Sequence, residues 1–373
     1  MKVLIYSHVF LPSIGGIEIV SATLADNLIK LNVECTVVTN TANELPDNFS
    51  YPVIRKPSFL QKIALVKKHD VIHSNGASLA YFFVAILFNK PFIWTHGGYQ
   101  VACIDGLGWV DGEKAPMTPW ASYKFHIQRK GFISATLNFM KLLIRIGASK
   151  FVSKNIAITE WVNRRQPLPR QMVIYNPFPI TVFKDVKKST SPIIYDFVYL
   201  GRLVSEKGVE TLLRAFALLL MDSENVTKKL LLIGDGDRRK QYEALAVELN
   251  IIKNVHFAGK KTGKDLVDAL CTSRIAVIPS EWEEPMGGVA LELMAAGKPL
   301  IVSKNGGLAE CVGAAALLFE NSNFDELCNQ MTILVKNPDM QVNLCMHADK
   351  QLDKFDPKLL TQEYVDMYRS VMN

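Results

Sequence analysis

Cysteine is sparse in this chain and never paired. Cys35, Cys103, Cys271, Cys311, Cys328 and Cys345 are scattered, with no Cys-x-x-Cys motif and no clustered histidines. That pattern excludes a disulfide framework and a structural zinc site, and it fits a reducing cytoplasm. Long apolar runs are missing too. The longest, Leu79 to Phe88, falls far below the roughly 20 residues a membrane-spanning helix requires. The opening MKVLIYSHVF begins directly with a strand-like run and reads as no signal peptide. There is no heptad array, no low-complexity tract and no short repeat. A nicotinamide dehydrogenase would need Gly-x-Gly-x-x-Gly with an acidic residue about 20 positions on, and that spacing is absent.

What is there is a globular composition of 373 residues, 49% hydrophobic and 21% charged, enough for two domains with full cores. The net charge of +6 is unevenly shared. Residues 1–185 hold 20 Lys plus Arg against 11 Asp plus Glu, so the remainder is slightly acidic. Part of the excess lies in 124–165, where Lys124, Arg129, Lys130, Lys141, Arg145, Lys150, Lys154, Arg164 and Arg165 interleave with Phe125, Phe132, Phe139, Leu142, Leu143 and Phe151. This fits a helical surface leaning on anionic lipid headgroups, peripheral on the inner face of a membrane. A helix that buries its apolar stripe and solvates its lysines has the same composition. No nucleic-acid-binding motif accompanies the charge, so no nucleic acid partner is expected.

Strand-like and helical stretches alternate along the chain. Val3 to Tyr6, a helix from about Glu18 to Leu31, Cys35 to Thr39, Val71 to His73 and Pro91 to Thr95 form a first series. A second opens at Phe197 to Leu200 and runs through Leu230 to Ile233, Val255 to Ala258 and Arg274 to Ile278, with helices between. Such alternation predicts βαβ units and parallel sheets, hence an α/β chain of two successive doubly wound halves. Four prolines at 167, 169, 177 and 179 mark the boundary between a domain at 1–180 and one at 181–355. Phe355 to Met372 has helical spacing after Asp356-Pro357.

Four loops carry candidate chemistry. In PSEWEEPMGGVALELMAAGKPLIVSKNGGLAE, Glu284 and Glu292 stand eight residues apart across a glycine turn. Glu284 lies in the loop after a buried strand, and Glu292 inside a short helix. Gly287 and Gly288 let a ligand approach the backbone, and the helix start suits a phosphate. One carboxylate could then hold a sugar and the other a ribose diol. A capping Glu and a solvated Glu would read the same in isolation. Gly201-Arg202-Leu203-Val204-Ser205-Glu206-Lys207-Gly208 follows a strand and opens a helix, placing Arg202 and Lys207 where phosphate sits in open α/β sheets. Glu206 is left as helix-start electrostatics. Gly15 and Gly16 follow the first strand, with Glu18 as a helix cap. His96 ends another strand in WTHGG, whereas His73 reads as structural. Gly234-Asp235-Gly236-Asp237 formally contains Asp-x-Asp but reads as a turn. Gln100 to Trp120, with Cys103, Asp105, Trp109 and Asp111, is a candidate acceptor loop.

These motifs together resemble the retaining glycosyltransferases of the GT-B fold, in the large family 4 group (glycosyl transferases group 1). The likeness is specific over the second half, through LMAAGKPLIVSKNGGLAE, and looser over the first. It implies two Rossmann-like domains facing a central cleft, an acceptor domain and a nucleotide-sugar donor domain, with the terminal helix 356–373 returning to the first. It also implies transfer of a hexose-type sugar with retention, from a UDP- or GDP-sugar co-substrate to a glycan or lipid-linked acceptor, in bacterial-type surface polysaccharide or glycolipid assembly. No metal and no other cofactor are required on this reading. Residue by residue, the resemblance puts Glu284 on the donor sugar, Glu292 on the ribose, and Arg202 and Lys207 on the diphosphate. Gly15, Gly16, Gly287 and Gly288 approach the donor backbone-first, and His96 approaches its sugar. One departure is plain: the family commonly has Gly-Phe-Gly after the first Glu, and here Pro285-Met286-Gly287-Gly288 stands instead. An epimerase or hydrolase on the same fold, and a non-catalytic nucleotide-sugar-binding subunit, are the alternatives.

Overall fold

The computed structural model describes residues 1–13, 15–43, 46–187 and 190–372. Ile14 of the first glycine loop and Asn373 of the expected terminal helix lie outside the described residues. The chain divides into two compact units, one of Met1–Val110, Lys114–Pro179 and Phe355–Asn373, the other of Asp111–Glu113 and Ile180–Lys354.

The first unit is built on a seven-stranded sheet in the order Val53–Arg55, Glu34–Thr39, Lys2–Ser7, Val71–Asn75, Phe92–His96, Lys154–Ala157, Gln171–Val173. Every neighbouring pair is parallel. Parallel strands need crossover helices, and the direction of travel along the sheet reverses once, so right-handed crossovers put helices on both faces. On one face Val3, Ile5, Leu24, Leu28, Tyr364 and Tyr368 share a core, contributed by the helices Gly16–Lys30 and Pro357–Met372. On the other, Leu4, Tyr6 and Ile72 meet Val66, Phe82, Val84 and Ala148, from the helices Phe59–Lys68, Phe82–Leu87 and Phe132–Ser149.

The second unit repeats the arrangement with six parallel strands, in the order Val255–Gly259, Leu230–Ile233, Tyr195–Leu200, Ser273–Ile278, Leu300–Ser303, Ala316–Phe319. Its central strands are apolar almost throughout because helices cover both faces. Strand order reverses between Tyr195–Leu200 and Ser273–Ile278. The crevice outside the carboxyl ends of two such strands is where open α/β sheets bind ligands. The loops that follow these two strands are Gly201–Gly208 and Pro279–Gly287.

Candidate active site

Two glycine contacts bind these loops together. Gly208 has φ +67° and packs against Pro279, so that a side chain there would fall on the Pro279 carbonyl oxygen. The Glu281 amide donates to the Glu206 carbonyl at 3.0 Å. Gly234, at φ +145°, is held against the Gly201 carbonyl in the same way, and Leu203 N–H donates to Asp235 C=O at 2.9 Å. The Asp235 carboxylate serves its own turn, accepting from Gly236 N–H at 2.8 Å and lying 3.6 Å from Arg239. Among the described residues no group of three or more His, Cys, Asp or Glu is arranged to hold a metal ion.

Within this frame, Glu284 and Lys207, 77 positions apart in sequence, form an ion pair. Glu284 is buried, and its Oε1 also accepts from Ser280 Oγ at 2.7 Å. Its main chain is fixed as well, since its carbonyl accepts from Gly307 N–H at 2.6 Å. The Lys207 ammonium lies 5.6 Å from the Trp282 ring centre, a cation–π contact. Arg202 is different: its side chain is 67% exposed and pairs with Glu206 at 3.1 Å, leaving the guanidinium at the mouth of the loop. Glu206, taken from sequence as helix-start electrostatics, in fact orients Arg202 through its carboxylate and the Glu281 loop through its carbonyl.

The helix Gly288–Ala295 begins at Gly287, with no side chain capping it. Its first-turn amides lack intrahelical acceptors, so they and the positive dipole end favour an anion. Gly287 sits tightly, because a side chain there would meet Leu308 Cδ1 at 2.6 Å. Met286 is buried. Glu292 is the fifth residue of this helix and partly buried. Its carboxylate has no hydrogen-bond or ion-pair partner among the described residues, and burial pushes its pKa up to about 7. A desolvated carboxyl without a protein partner, on a helix beside a paired Glu–Lys, marks Glu292 as a candidate for a functional role.

Tyr199 packs against this candidate site without any local sequence signal to mark it. Its buried hydroxyl donates to the Arg202 carbonyl at 2.6 Å, and burial, reinforced by the Glu284 charge, raises its pKa well above the ordinary phenol value. Sequence reasoning missed Ser280 and Trp282 as well. Nothing local marks them, since their roles depend on Lys207 and Glu284 arriving from separate loops.

In the first unit, Gly15 and Gly16 stand at the start of the helix Gly16–Lys30. Around Gly16 a side chain would meet nothing within 4 Å, while at Gly15 it would meet the Glu18 carboxylate. Glu18 does not cap the helix; buried, it accepts from Ser13 Oγ at 3.0 Å. His96 is buried at its strand end, its Nε2 hydrogen-bonded to Asn155 Oδ1 at 2.9 Å. Burial lowers its pKa to about 4, so the imidazole is neutral near pH 7. His73 is structural, bridging Tyr368 Oη at 2.6 Å and Thr95 Oγ1 at 2.8 Å. In the segment after Gln100, Asp105 accepts from the amides of Leu107 and Trp109 at 2.8 and 3.2 Å and closes a compact turn.

Residues 182–351 match the family model described as Glycosyl transferases group 1. An uncharacterized glycosyltransferase of Methanocaldococcus jannaschii is 41% identical over 115 residues, which is 31% of this chain and 28% of that protein. The chain spans half or less of the length of the curated relatives it matches. Sucrose-phosphate synthase from Thermosynechococcus elongatus superposes with a TM-score of 0.76 at 20% identity, over 99% of this chain and 98% of that one. Anabaena HepE, solved in complex with UDP, gives 0.74 at 17% identity over 99% and 100%. These structural likenesses, at such low identity, concern the fold. Over residues 182–351 the chain is thus similar to the glycosyl transferases group 1 family, and its two parallel-sheet units are those of a GT-B fold.

Proposed function

We propose that this protein transfers a hexose-type sugar from a nucleotide-sugar donor to an acceptor hydroxyl, with retention at the anomeric carbon. The observation that carries the reading is the unpartnered, desolvated carboxylate of Glu292, on the same loop–helix segment as the Glu284–Lys207 pair. Glu292 accepts from the ribose hydroxyls, and Glu284 from the sugar hydroxyls once Lys207 turns to the diphosphate. Arg202 and the open helix start at Gly288 share that negative charge, so the site neutralises it with the protein's own groups. The sugar C1–O bond to phosphate breaks while a bond from C1 to the acceptor oxygen forms on the same face. The acceptor proton passes to the departing diphosphate, whose growing charge Arg202 and Lys207 stabilise. Neither glutamate acts as a nucleophile.

Gly15, Gly16 and His96 belong to the same reading, the two glycines as groups near the diphosphate and acceptor and His96 as the group that approaches the donor sugar. UDP-sugars are the first donors to try, because HepE was solved with UDP and with UDP-glucose. A glycan or lipid-linked acceptor, on the cytoplasmic side in surface polysaccharide or glycolipid assembly, completes the proposal. The test is transfer of labelled sugar from UDP- and GDP-sugars into glycan or lipid-extractable product. Arg202→Ala and Lys207→Ala should depress turnover by two or more orders of magnitude, about the size of losing a key electrostatic group. Free or epimerised sugar formed without acceptor, or unchanged turnover in both variants, would contradict it.

A further inference from the structure

The first unit exposes more apolar surface than its fold requires, and most of it comes from one helical layer. The helix Phe132–Ser149 is apolar on two opposite sides. Ala135, Phe139 and Leu142 are buried, whereas Ile133, Leu137, Met140 and Ile144, at the same helical spacing, face outward. Ile133 is 76% exposed. The helices Phe59–Lys68 and Phe82–Leu87 cover the same face of the sheet, sharing one core through Val66, Phe82 and Ala148. Their outer sides present Phe59, Leu60, Phe83 and Leu87, of which Leu60 is 76% and Leu87 74% exposed. Solvated helices carry polar residues on the outer side, so an apolar outer side marks a surface that something covers.

Charge identifies the cover. From Lys114 to Thr159 there are eight Lys plus Arg and no Asp or Glu. Across residues 48–159 the count is 14 against four. The cations stand beside the apolar side chains: Lys130 and Lys141 flank Phe132, Ile133 and Leu137 around an open concavity of about 640 Å³. Lys67 and Lys68 end the helix that begins with Phe59 and Leu60. A second copy of the chain would set this positive face against itself, which like-charge repulsion opposes. A surface that is apolar in depth and anionic at its boundary satisfies both features, and no helix among the described residues is long and apolar enough to cross a membrane.

We infer that this layer, Phe59–Lys68, Phe82–Leu87 and Phe132–Ser149 together, docks on an anionic lipid bilayer, inserting its outward apolar side chains while the lysines meet headgroup phosphates. It extends the basic 124–165 segment to two further helices and stands apart from the glycosyl-transfer reading. The test is flotation of the full chain with vesicles of phosphatidylglycerol and phosphatidylcholine in equal parts, against phosphatidylcholine alone. Binding should occur only to the anionic vesicles and be lost near 0.5 M salt, where the screening length is about 4 Å. Lys130→Gln and Lys141→Gln should each weaken partition about fivefold. Ile133→Ser with Leu137→Ser should abolish flotation, and Leu60→Ser with Leu87→Ser should weaken it, while cooperative melting of the first unit in each variant reports that this unit is folded. Equal binding to neutral vesicles, no flotation of the folded protein, indifference to all these substitutions, or a dimer in light scattering that Ile133→Ser with Leu137→Ser dissolves would each overturn the inference.

Discussion

Glu292 and the Lys207–Glu284 pair make opposite demands on pH and charge, and each can be tested singly. Burial raises the Glu292 pKa, so the folded chain holds that proton more tightly than the unfolded chain does. Its contribution to stability is complete in acid and is lost as pH climbs through about 7. Nucleotide binding, which on the proposed reading uses the carboxylate, runs the other way and tightens over the same rise. Glu292→Gln should flatten both trends in urea titrations and calorimetry taken on either side of neutrality; a binding trend that survives the substitution would remove Glu292 from the ribose. Lys207→Ala leaves the buried Glu284 without its cation and should cost about 3 kcal/mol of stability. Adding Glu284→Gln should restore much of it, and denaturant midpoints decide. At this scale the sequence exposed Glu284, Glu292, Arg202 and Lys207 because glycines and helix starts surround them. It could not reveal that Lys207 pairs with Glu284, since no local spacing encodes a contact across 77 positions.

Among elements, the two loops at the strand reversal of the second sheet hold the candidate site, and glycine makes their contact possible. Gly208→Ala requires a left-handed conformation and places a methyl group on the Pro279 carbonyl. The strain alone costs about 1–3 kcal/mol. We expect that variant to melt lower and to bind nucleotide poorly, whereas Gly16→Ala, with open space around it, should leave the melting temperature nearly unchanged. Strands with continuous apolar runs, such as Leu230–Ile233, were legible to within a residue or two. Lys154–Ala157 was not, because its Asn155 is polar and gains its place only from tertiary partners, His96 and the carbonyls of Ser149 and Pro169. Val53–Arg55 and Gln171–Val173 are three residues each, too short to show a period.

At the scale of the whole molecule, the first unit is discontinuous in sequence. Its sheet is completed on one face by Pro357–Met372, whose Tyr364 and Tyr368 are buried there and whose Tyr368 hydroxyl bonds His73. Deleting residues 355–373 should therefore abolish cooperative melting of the first unit and leave nucleotide stabilisation of the second intact, as two-wavelength melting would show. The parallel α/β class was readable from strand–helix alternation, but which face each helix covers was not, because periodicity cannot tell one side of a sheet from the other. The central claim is that the second unit binds a nucleotide sugar through Glu292 and its neighbours. It is tested most directly by thermal stabilisation with UDP, GDP, ADP and their sugar conjugates, with NAD as control. The account predicts that one nucleotide and its sugar conjugate stabilise the protein, by about 2.7 kcal/mol at 100 times Kd, and that Glu292→Ala removes the effect. Stabilisation by none of them, by NAD alone, or to an equal degree in Glu292→Ala would contradict it.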